Sequence, residues 1–180
     1  MYLVSHELFP QPLLGINGVF AIPDDRTSAA LSIFTTMLSD GCLSSPIFGE
    51  LREARGLVYG YSVDFEFCMP GLLRVYFECG AERDNLAEIE KRFWEIVQRT
   101  SHDKERFAFA RDRKLGKMRM RMFDPQAEVS DIADQLLLQG NYVSDEEQER
   151  VIANLEFEEV QAAAKTYFDP SKFFVLTMHR

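Results

Sequence analysis

The chain has 180 residues, 46% of them hydrophobic and 12% aromatic, which is enough for one domain with a packed core and excludes a disordered chain. It carries 20 Lys and Arg against 29 Asp and Glu, a formal net charge of −9. This acidity disfavours nucleic acid or an anionic membrane surface as the main partner.

Residues 1–12 are predicted to form a linker or leading segment, because Pro10 and Pro12 lie close together there. Residues 13–180 are predicted to form a single domain, since no internal repeat, low-complexity tract or Gly/Ser linker divides them.

Cysteine usage and the N-terminus predict the compartment. Cys42, Cys68 and Cys79 are an odd and sparse set, which argues against a disulfide framework. The N-terminus lacks a basic region followed by an apolar signal core, and no apolar run reaches the length of a membrane span. We therefore expect a cytoplasmic domain without a membrane partner, with the periplasm or an organelle left open.

The first elements follow in chain order. Residues 13–22 are apolar and β-rich, and Pro23 ends them, which predicts a strand. Asp24 offers an N-cap for a helix that ends at Gly41. One face of this helix repeats at helical spacing and consists of Ala30, Ile33, Phe34, Met37 and Leu38.

A short second helix and a β-hairpin are predicted next. Pro46 opens the helix and Gly56 closes it. Two alternating runs, 57–67 and 73–79, flank the turn residues Met69-Pro70-Gly71 and indicate a hairpin. The apolar face of its first strand comprises Leu57, Tyr59, Tyr61, Val63, Phe65 and Phe67.

The remaining chain is predicted to be helical until a closing strand at 173–178. The predicted helix starts are Asp84, Asp103, Asp124-Pro125, Ser144 with its capping-box partner Glu147, and Glu156. This order predicts an α+β fold with a largely antiparallel sheet packed by helices.

Metal and nucleophile motifs are absent from the sequence. His6, His102 and His179 lie far apart, and neither H-x-x-E-H nor H-x-x-x-H occurs, whereas a zinc site needs three or four converging ligands. No G-x-S-x-G or P-loop motif is present. The sequence thus predicts no zinc site and no cofactor in this chain.

A basic run lies in the fourth predicted helix and consists of Arg111, Arg113, Lys114, Lys117, Arg119 and Arg121. Arg113, Lys117 and Arg121 are spaced four residues apart, which places them on one helical face. Such a stripe is usually a solvated face, and the alternative is an interface with an acidic neighbour.

Residues 40–59 combine a glycine break, two serines, a Pro-started helix and a Gly-Leu-x-Tyr segment. Arg52 lies in the last helical turn, Gly56 is able to take a positive φ, and Tyr59 begins the returning strand. A guanidinium and a phenol at one corner are both hydrogen-bond donors and suit a carbonyl or an oxyanion. The structural alternative is that Arg52 pairs with a nearby carboxylate and Tyr59 caps the sheet edge.

This block resembles the pitrilysin/mitochondrial processing peptidase family of zinc metallopeptidases, and the likeness extends over nearly the whole chain. The family pattern S-S-x-L-F-x-x-L-R-E-x-x-G-L-x-Y is matched by Ser44-Ser45-Pro46-Ile47-Phe48, Leu51-Arg52-Glu53, Gly56-Leu57 and Tyr59. Pro46-Ile47 departs mildly from the usual Arg-Leu.

The resemblance implies a role within a larger enzyme. In the family, related domains face each other around a closed chamber, and one carries H-x-x-E-H and the catalytic zinc. This chain is similar to the zinc-free, C-terminal domain, so Arg52 and Tyr59 are implied to hold the peptide substrate and stabilise the oxyanion across the chamber. Zinc is then expected in an H-x-x-E-H partner domain or subunit, and the isolated chain is expected to be inactive and prone to homodimerise.

Two alternatives remain open from the sequence. The first is a protease-dead structural relative, similar to the core proteins of respiratory complexes. The second is a free-standing peptide-binding or dimerising α+β module.

Overall fold

A five-stranded sheet forms the centre of the computed structural model, which describes residues 2–5, 12–39, 44–121 and 125–179. The strands are Tyr2–Ser5 (β1), Leu13–Ala21 (β2), Gly60–Met69 (β3), Leu72–Gly80 (β4) and Phe173–His179 (β5). The α-helices are Asp25–Leu38 (α1), Leu86–Thr100 (α2), Lys104–Arg121 (α3), Pro125–Asp134 (α4), Asp145–Ala153 (α5) and Phe157–Tyr167 (α6). Phe48–Glu53 and Gln135–Gln139 are π-helical, and Arg83–Asn85 and Pro170–Lys172 are 3₁₀ turns.

The strand order is β1-β5-β2-β4-β3. The pairs β5–β2, β2–β4 and β4–β3 are antiparallel, and only the edge pair β1–β5 is parallel among the described strands. This confirms the predicted α+β fold with a largely antiparallel sheet.

The core lies between the sheet and the helices. The predicted face of α1 is buried throughout, and Phe34 packs edge-on against Phe168 at a ring-centroid distance of 5.0 Å. On β4, Phe77 is fully buried and stacks on Phe93 of α2 at 4.4 Å. The alternation of apolar and polar residues on β4 thus places one face of the strand against α2.

Four local predictions, namely three helix N-caps and one glycine reversal, are confirmed by hydrogen bonds at the caps and by one backbone angle. Asp24 accepts a hydrogen bond from the Thr27 backbone N–H, and Ser144 accepts one from Glu147. Asp103 likewise accepts from the N–H of Arg106 at 2.9 Å and begins α3. Gly56 has a φ of 61°.

Part of the predicted linker is wrong. Tyr2–Ser5, inside the predicted 1–12 segment, forms β1 and pairs in register with Leu176 to His179 of β5. The prediction rested on Pro10 and Pro12, and it overlooked a β-forming Tyr-Leu-Val run whose partner is the far end of the chain. Residues 6–11 are outside the described part of the chain.

Two smaller corrections concern element starts. Asp84 does not cap α2, because it lies inside the 3₁₀ turn Arg83–Asn85, and Asn85 precedes the helix without a side-chain cap. The returning strand begins at Gly60, one residue after Tyr59. The predicted helix end at Gly41 and the start at Asp124 fall outside the described residues.

The basic run on α3 is engaged within the domain at several positions. The Arg119 Nε donates to Glu149 of α5 at 2.7 Å, and the Arg111 guanidinium lies 5.2 Å from the Phe107 ring centroid. One acidic neighbour of this run is therefore α5 of the same chain. No helix in the described ranges is long and apolar enough to cross a membrane.

Candidate functional site

The segment that leads into the predicted site is anchored by a buried serine. Ser45 is 1% exposed, and its hydroxyl accepts from the backbone N–H of Phe48 at 3.2 Å. The same hydroxyl shares a hydrogen bond of 2.9 Å with the Tyr61 phenol on β3. This side chain therefore fastens the start of the helical segment to the sheet.

The helical segment Phe48–Glu53 is π-helical, with the Ala54 N–H donating to the Gly49 carbonyl at 2.9 Å. Leu51 is fully buried and holds the inner side of the segment against the core. Arg52, the next residue, is therefore turned outward and is exposed. Such π-helical insertions occur frequently at functional sites because they re-aim individual side chains.

Gly56 makes the reversal between helix and strand. Its φ of 61° lies in the left-handed region that glycine adopts without steric cost. Its N–H donates to the Arg52 carbonyl at 3.0 Å, and the Leu57 N–H donates to the Leu51 carbonyl at 2.8 Å. Buried Leu57 and Val58 then fix the chain before Tyr59 emerges at the surface. We refer to residues 51–59 as the corner.

Arg52 is exposed and lies over an aromatic ring. Its guanidinium carbon is 5.5 Å from the centroid of the Phe48 ring. Among the described residues it has no ion-pair partner, whereas Glu50 pairs with Arg99, and Arg55 pairs with Glu88 at 3.7 Å. The carboxylate partner proposed in the structural alternative is therefore not found in this part of the chain.

Tyr59 is 57% exposed and donates its phenolic hydrogen to Glu82 Oε1 at 2.9 Å. Its backbone N–H donates to the Gly80 carbonyl at 3.1 Å, which fixes the residue beside the end of β4. The hydrogen bond to Glu82, and secondarily the negative charge of that carboxylate, raise the pKa of Tyr59 above its usual value. The phenol is thus kept in its donor form.

Glu82 was missed by sequence reasoning, although one signal could have found it. The β3–β4 register pairs Gly60 with Gly80, so a residue shortly after β4 lies next to a residue shortly before β3. Counting back from the hairpin turn identifies this proximity, but not the hydrogen bond.

Arg52 and Tyr59 lie near opposite ends of the corner, and each has its own contact. Arg52 contacts Phe48 and Tyr59 contacts Glu82, and the described contacts include no bond between the two. The corner thus carries an exposed guanidinium at one end and an exposed phenol at the other.

Residues 2–113 match the family model described as the peptidase M16 inactive domain. The chain belongs to this family. An uncharacterized zinc protease of Mycobacterium tuberculosis is 33% identical over 138 residues, which are 76% of this chain and 31% of that relative. The chain thus corresponds to under a third of the length of the curated relatives that it matches.

Solved structures share the fold of this M16 inactive domain. A peptidase M16 inactive domain from Pseudomonas fluorescens superposes with a TM-score of 0.80 at 18% identity, covering 99% of this chain and 42% of that one. A protease from Helicobacter pylori superposes with a TM-score of 0.83 at 10% identity, covering 99% and 43%. The predicted membership of a zinc metallopeptidase family, as a domain without the zinc motif, is confirmed.

The described residues of the M16 inactive domain offer no candidate metal centre. No group of three or more His, Cys, Asp or Glu side chains within the described ranges is arranged to hold a metal ion. His102 is exposed and hydrogen-bonds through Nδ1 with the Gln98 carbonyl at 2.9 Å. The residues present in these ranges therefore do not fit a zinc ion.

Proposed function

We infer that this chain is the zinc-free half of an M16 metalloendopeptidase and that Arg52 and Tyr59 act on the substrate of a zinc-bearing partner domain. In this proposal the two domains enclose a chamber, and the partner carries H-x-x-E-H and the metal. The reaction class is the hydrolysis of peptide bonds. In this proposal the chain on its own is inactive, because its sequence lacks the H-x-x-E-H motif that holds the metal.

The observation that carries the proposal is the state of Arg52. Arg52 is exposed and has no ion-pair partner among the described residues, and the nearby carboxylate of Glu50 pairs with Arg99 instead. The guanidinium rests on the Phe48 ring, a contact that leaves its N–H groups directed to solvent or to a ligand. Five donors in a planar fork suit the carbonyl oxygens of an extended peptide.

Tyr59 supplies the second donor. A neutral phenol binds the oxygen of a carbonyl and binds it more strongly once that oxygen becomes an oxyanion. The raised pKa of Tyr59 keeps this proton in place above the pH at which an ordinary tyrosine ionises. Arg52 then provides charge and Tyr59 provides a directed hydrogen bond, and both act as the tetrahedral intermediate forms.

The test uses the full-length protein or this chain reconstituted with its partner domain. Arg52→Ala and Tyr59→Phe are each expected to lower kcat/KM on an unstructured peptide by about 10²–10³, the usual effect of removing one oxyanion donor. Arg150→Ala, an exposed arginine of α5, and Tyr142→Phe, an exposed tyrosine before α5, are the matched controls outside the corner and should retain activity.

Two results would reject the proposal. Wild-type activity in both Arg52→Ala and Tyr59→Phe would remove the assigned roles. A partner domain that binds no zinc and hydrolyses no peptide would favour the structural alternative, in which the fold is retained without protease activity.

A further inference from the structure

The Tyr59–Glu82 hydrogen bond joins two residues whose backbones are both fixed. Tyr59 is held by its N–H bond to Gly80. Glu82 follows Ala81, which is fully buried and donates its N–H to the Pro12 carbonyl at 3.1 Å. The Glu82 carbonyl in turn accepts from the Asn85 N–H at 3.0 Å. Only the two side chains are therefore able to change partners.

The chemistry of this pair limits Tyr59 to one acceptor at a time. A phenol has a single proton to donate, and an ionised carboxylate is an acceptor only. While the Tyr59 hydroxyl points at Glu82 Oε1, it does not donate to a substrate oxygen. Engagement of an oxyanion therefore requires this 2.9 Å bond to break.

Glu82 itself is weakly held. The carboxylate is exposed, and within the described ranges Tyr59 is its sole side-chain partner. A glutamate with a structural role at the surface would more often pair with an arginine or lysine, as Glu50 pairs with Arg99. The carboxylate therefore has no cation to retain it when the phenol turns away.

We propose that Glu82 is a positioning residue that latches the Tyr59 hydroxyl in the resting domain and releases it as the substrate oxygen acquires negative charge. This inference rests on the proposed function of Tyr59. The bond to Glu82 reduces the net stabilisation of the transition state. Tyr59 has to give up one charge-assisted hydrogen bond, to Glu82, in order to form another, to the oxyanion. The benefit of the latch is a hydroxyl whose orientation is fixed by a defined acceptor before the substrate binds.

Glu82→Gln distinguishes a glutamate that restrains the Tyr59 hydroxyl from one that helps this hydroxyl to act on the substrate. The glutamine keeps the size of the side chain, accepts more weakly than a carboxylate, and has an amide that donates to the phenolic oxygen. The Tyr59 proton is then free for the substrate. In the full-length protein we expect kcat to rise several-fold, up to about tenfold, with KM little changed, because the exchanged bond belongs to the transition state.

Two further measurements make this result specific. Glu82→Gln in the Tyr59→Phe background should have no effect on kcat, since no phenolic proton remains to be released. Glu105→Gln, an exposed glutamate of α3 outside the corner, is the charge-matched control and should not alter kcat. Ultraviolet titration of tyrosinate, taken as the difference from Tyr59→Phe, should show a lower Tyr59 pKa in Glu82→Gln than in wild type.

The outcomes distinguish the latch from the underlying function. If Tyr59→Phe loses activity but Glu82→Gln gains none, or loses as much as Tyr59→Phe, the latch is rejected and the role of Tyr59 stands. If Tyr59→Phe is fully active, the proposed function of Tyr59 fails and the latch fails with it. A gain in kcat that persists in the Tyr59→Phe background would also overturn the latch.

Discussion

The sheet core and the corner differ in how their side chains are held. In the core, Phe77, Phe93 and Phe34 are fully buried and each packs against another ring. At the corner, Arg52 and Tyr59 are exposed, and each has one polar or aromatic neighbour. Substitutions in the core should therefore reduce stability, whereas the exposed groups of the corner are available for function at little cost to folding.

The largest expected effect on stability comes from Phe93→Ala. The ring stacks on Phe77 at 4.4 Å and lies edge-on to Trp94 at 4.9 Å, so its removal leaves a cavity in the core. We expect the free energy of unfolding to fall by about 3–5 kcal/mol in urea denaturation. Phe109→Ala, at an exposed position on α3, is the control. A loss for Phe93→Ala no larger than for the control would contradict this description of the core.

Ser45→Ala tests the buried hydrogen bonds that anchor the helical segment leading into the corner. The variant removes the acceptor of the Phe48 N–H and the hydrogen-bond partner of the Tyr61 phenol, both next to the core. The expected loss is about 1–3 kcal/mol, the range for unsatisfied buried polar groups. Ser62→Ala, on the exposed face of β3, should change the free energy of unfolding little. Equal effects of the two variants would show that the anchor is not a stabilising contact.

Gly56→Ala tests the reversal itself. Because φ is 61° and no atom lies within 4 Å of the added Cβ, the cost is backbone strain without a clash, about 1–2 kcal/mol. Gly116→Ala, in the exposed interior of α3 and equally open, should instead stabilise by about 0.5–1 kcal/mol. The free energy of unfolding should therefore change in opposite directions in the two Gly→Ala variants, as measured by urea denaturation. A stabilising Gly56→Ala would contradict the positive φ.

The smallest effect concerns a surface ion pair away from the corner. Arg26 of α1 binds Glu159 of α6 through Nη2 at 2.7 Å, and this bond lowers the pKa of Glu159 below its usual 4.5. Because Glu159 has a higher pKa in the unfolded state, the unfolded state binds more protons at pH values between the two pKa values. The contribution of the ion pair to the free energy of unfolding is therefore present above about pH 4.5 and disappears as the pH falls through the folded-state pKa. Glu159→Gln should be slightly less stable than wild type at pH 7 and equal to it in strong acid. Glu158→Gln, at an exposed position of the same helix, is the control variant.

Much of the core could be predicted because its pattern is local. The apolar face of α1 and the alternation along β3 and β4 follow directly from residue spacing, although β3 begins only at Gly60 and leaves Tyr59 of the predicted apolar face exposed. β1 was missed because its β-forming run is only four residues long and its partner, β5, lies at the opposite end of the chain, where the sequence does not show the pairing. The π-helical winding of Phe48–Glu53 was missed because its apolar spacing is also that of an α-helix.

The corner was predictable only in part. The chain reversal at Gly56 could be predicted, since a glycine between a helix and a strand is typical of a reversal with positive φ. The Ser45–Tyr61 and Tyr59–Glu82 bonds depend on which strand ends meet in space, and residue types alone do not specify that. The family resemblance supplied the roles of Arg52 and Tyr59, and these roles stay predictions.

The central claim is that Arg52 and Tyr59 bind the transition state more tightly than the substrate. A phosphonate peptide, which mimics the tetrahedral intermediate, should be measured as an inhibitor of the full-length protein in wild type, Arg52→Ala, Tyr59→Phe and the double variant. We predict that the inhibition constant rises in proportion to the loss of kcat/KM across the four proteins, while KM for the substrate changes much less. An inhibition constant that stays constant while kcat/KM falls would contradict the claim.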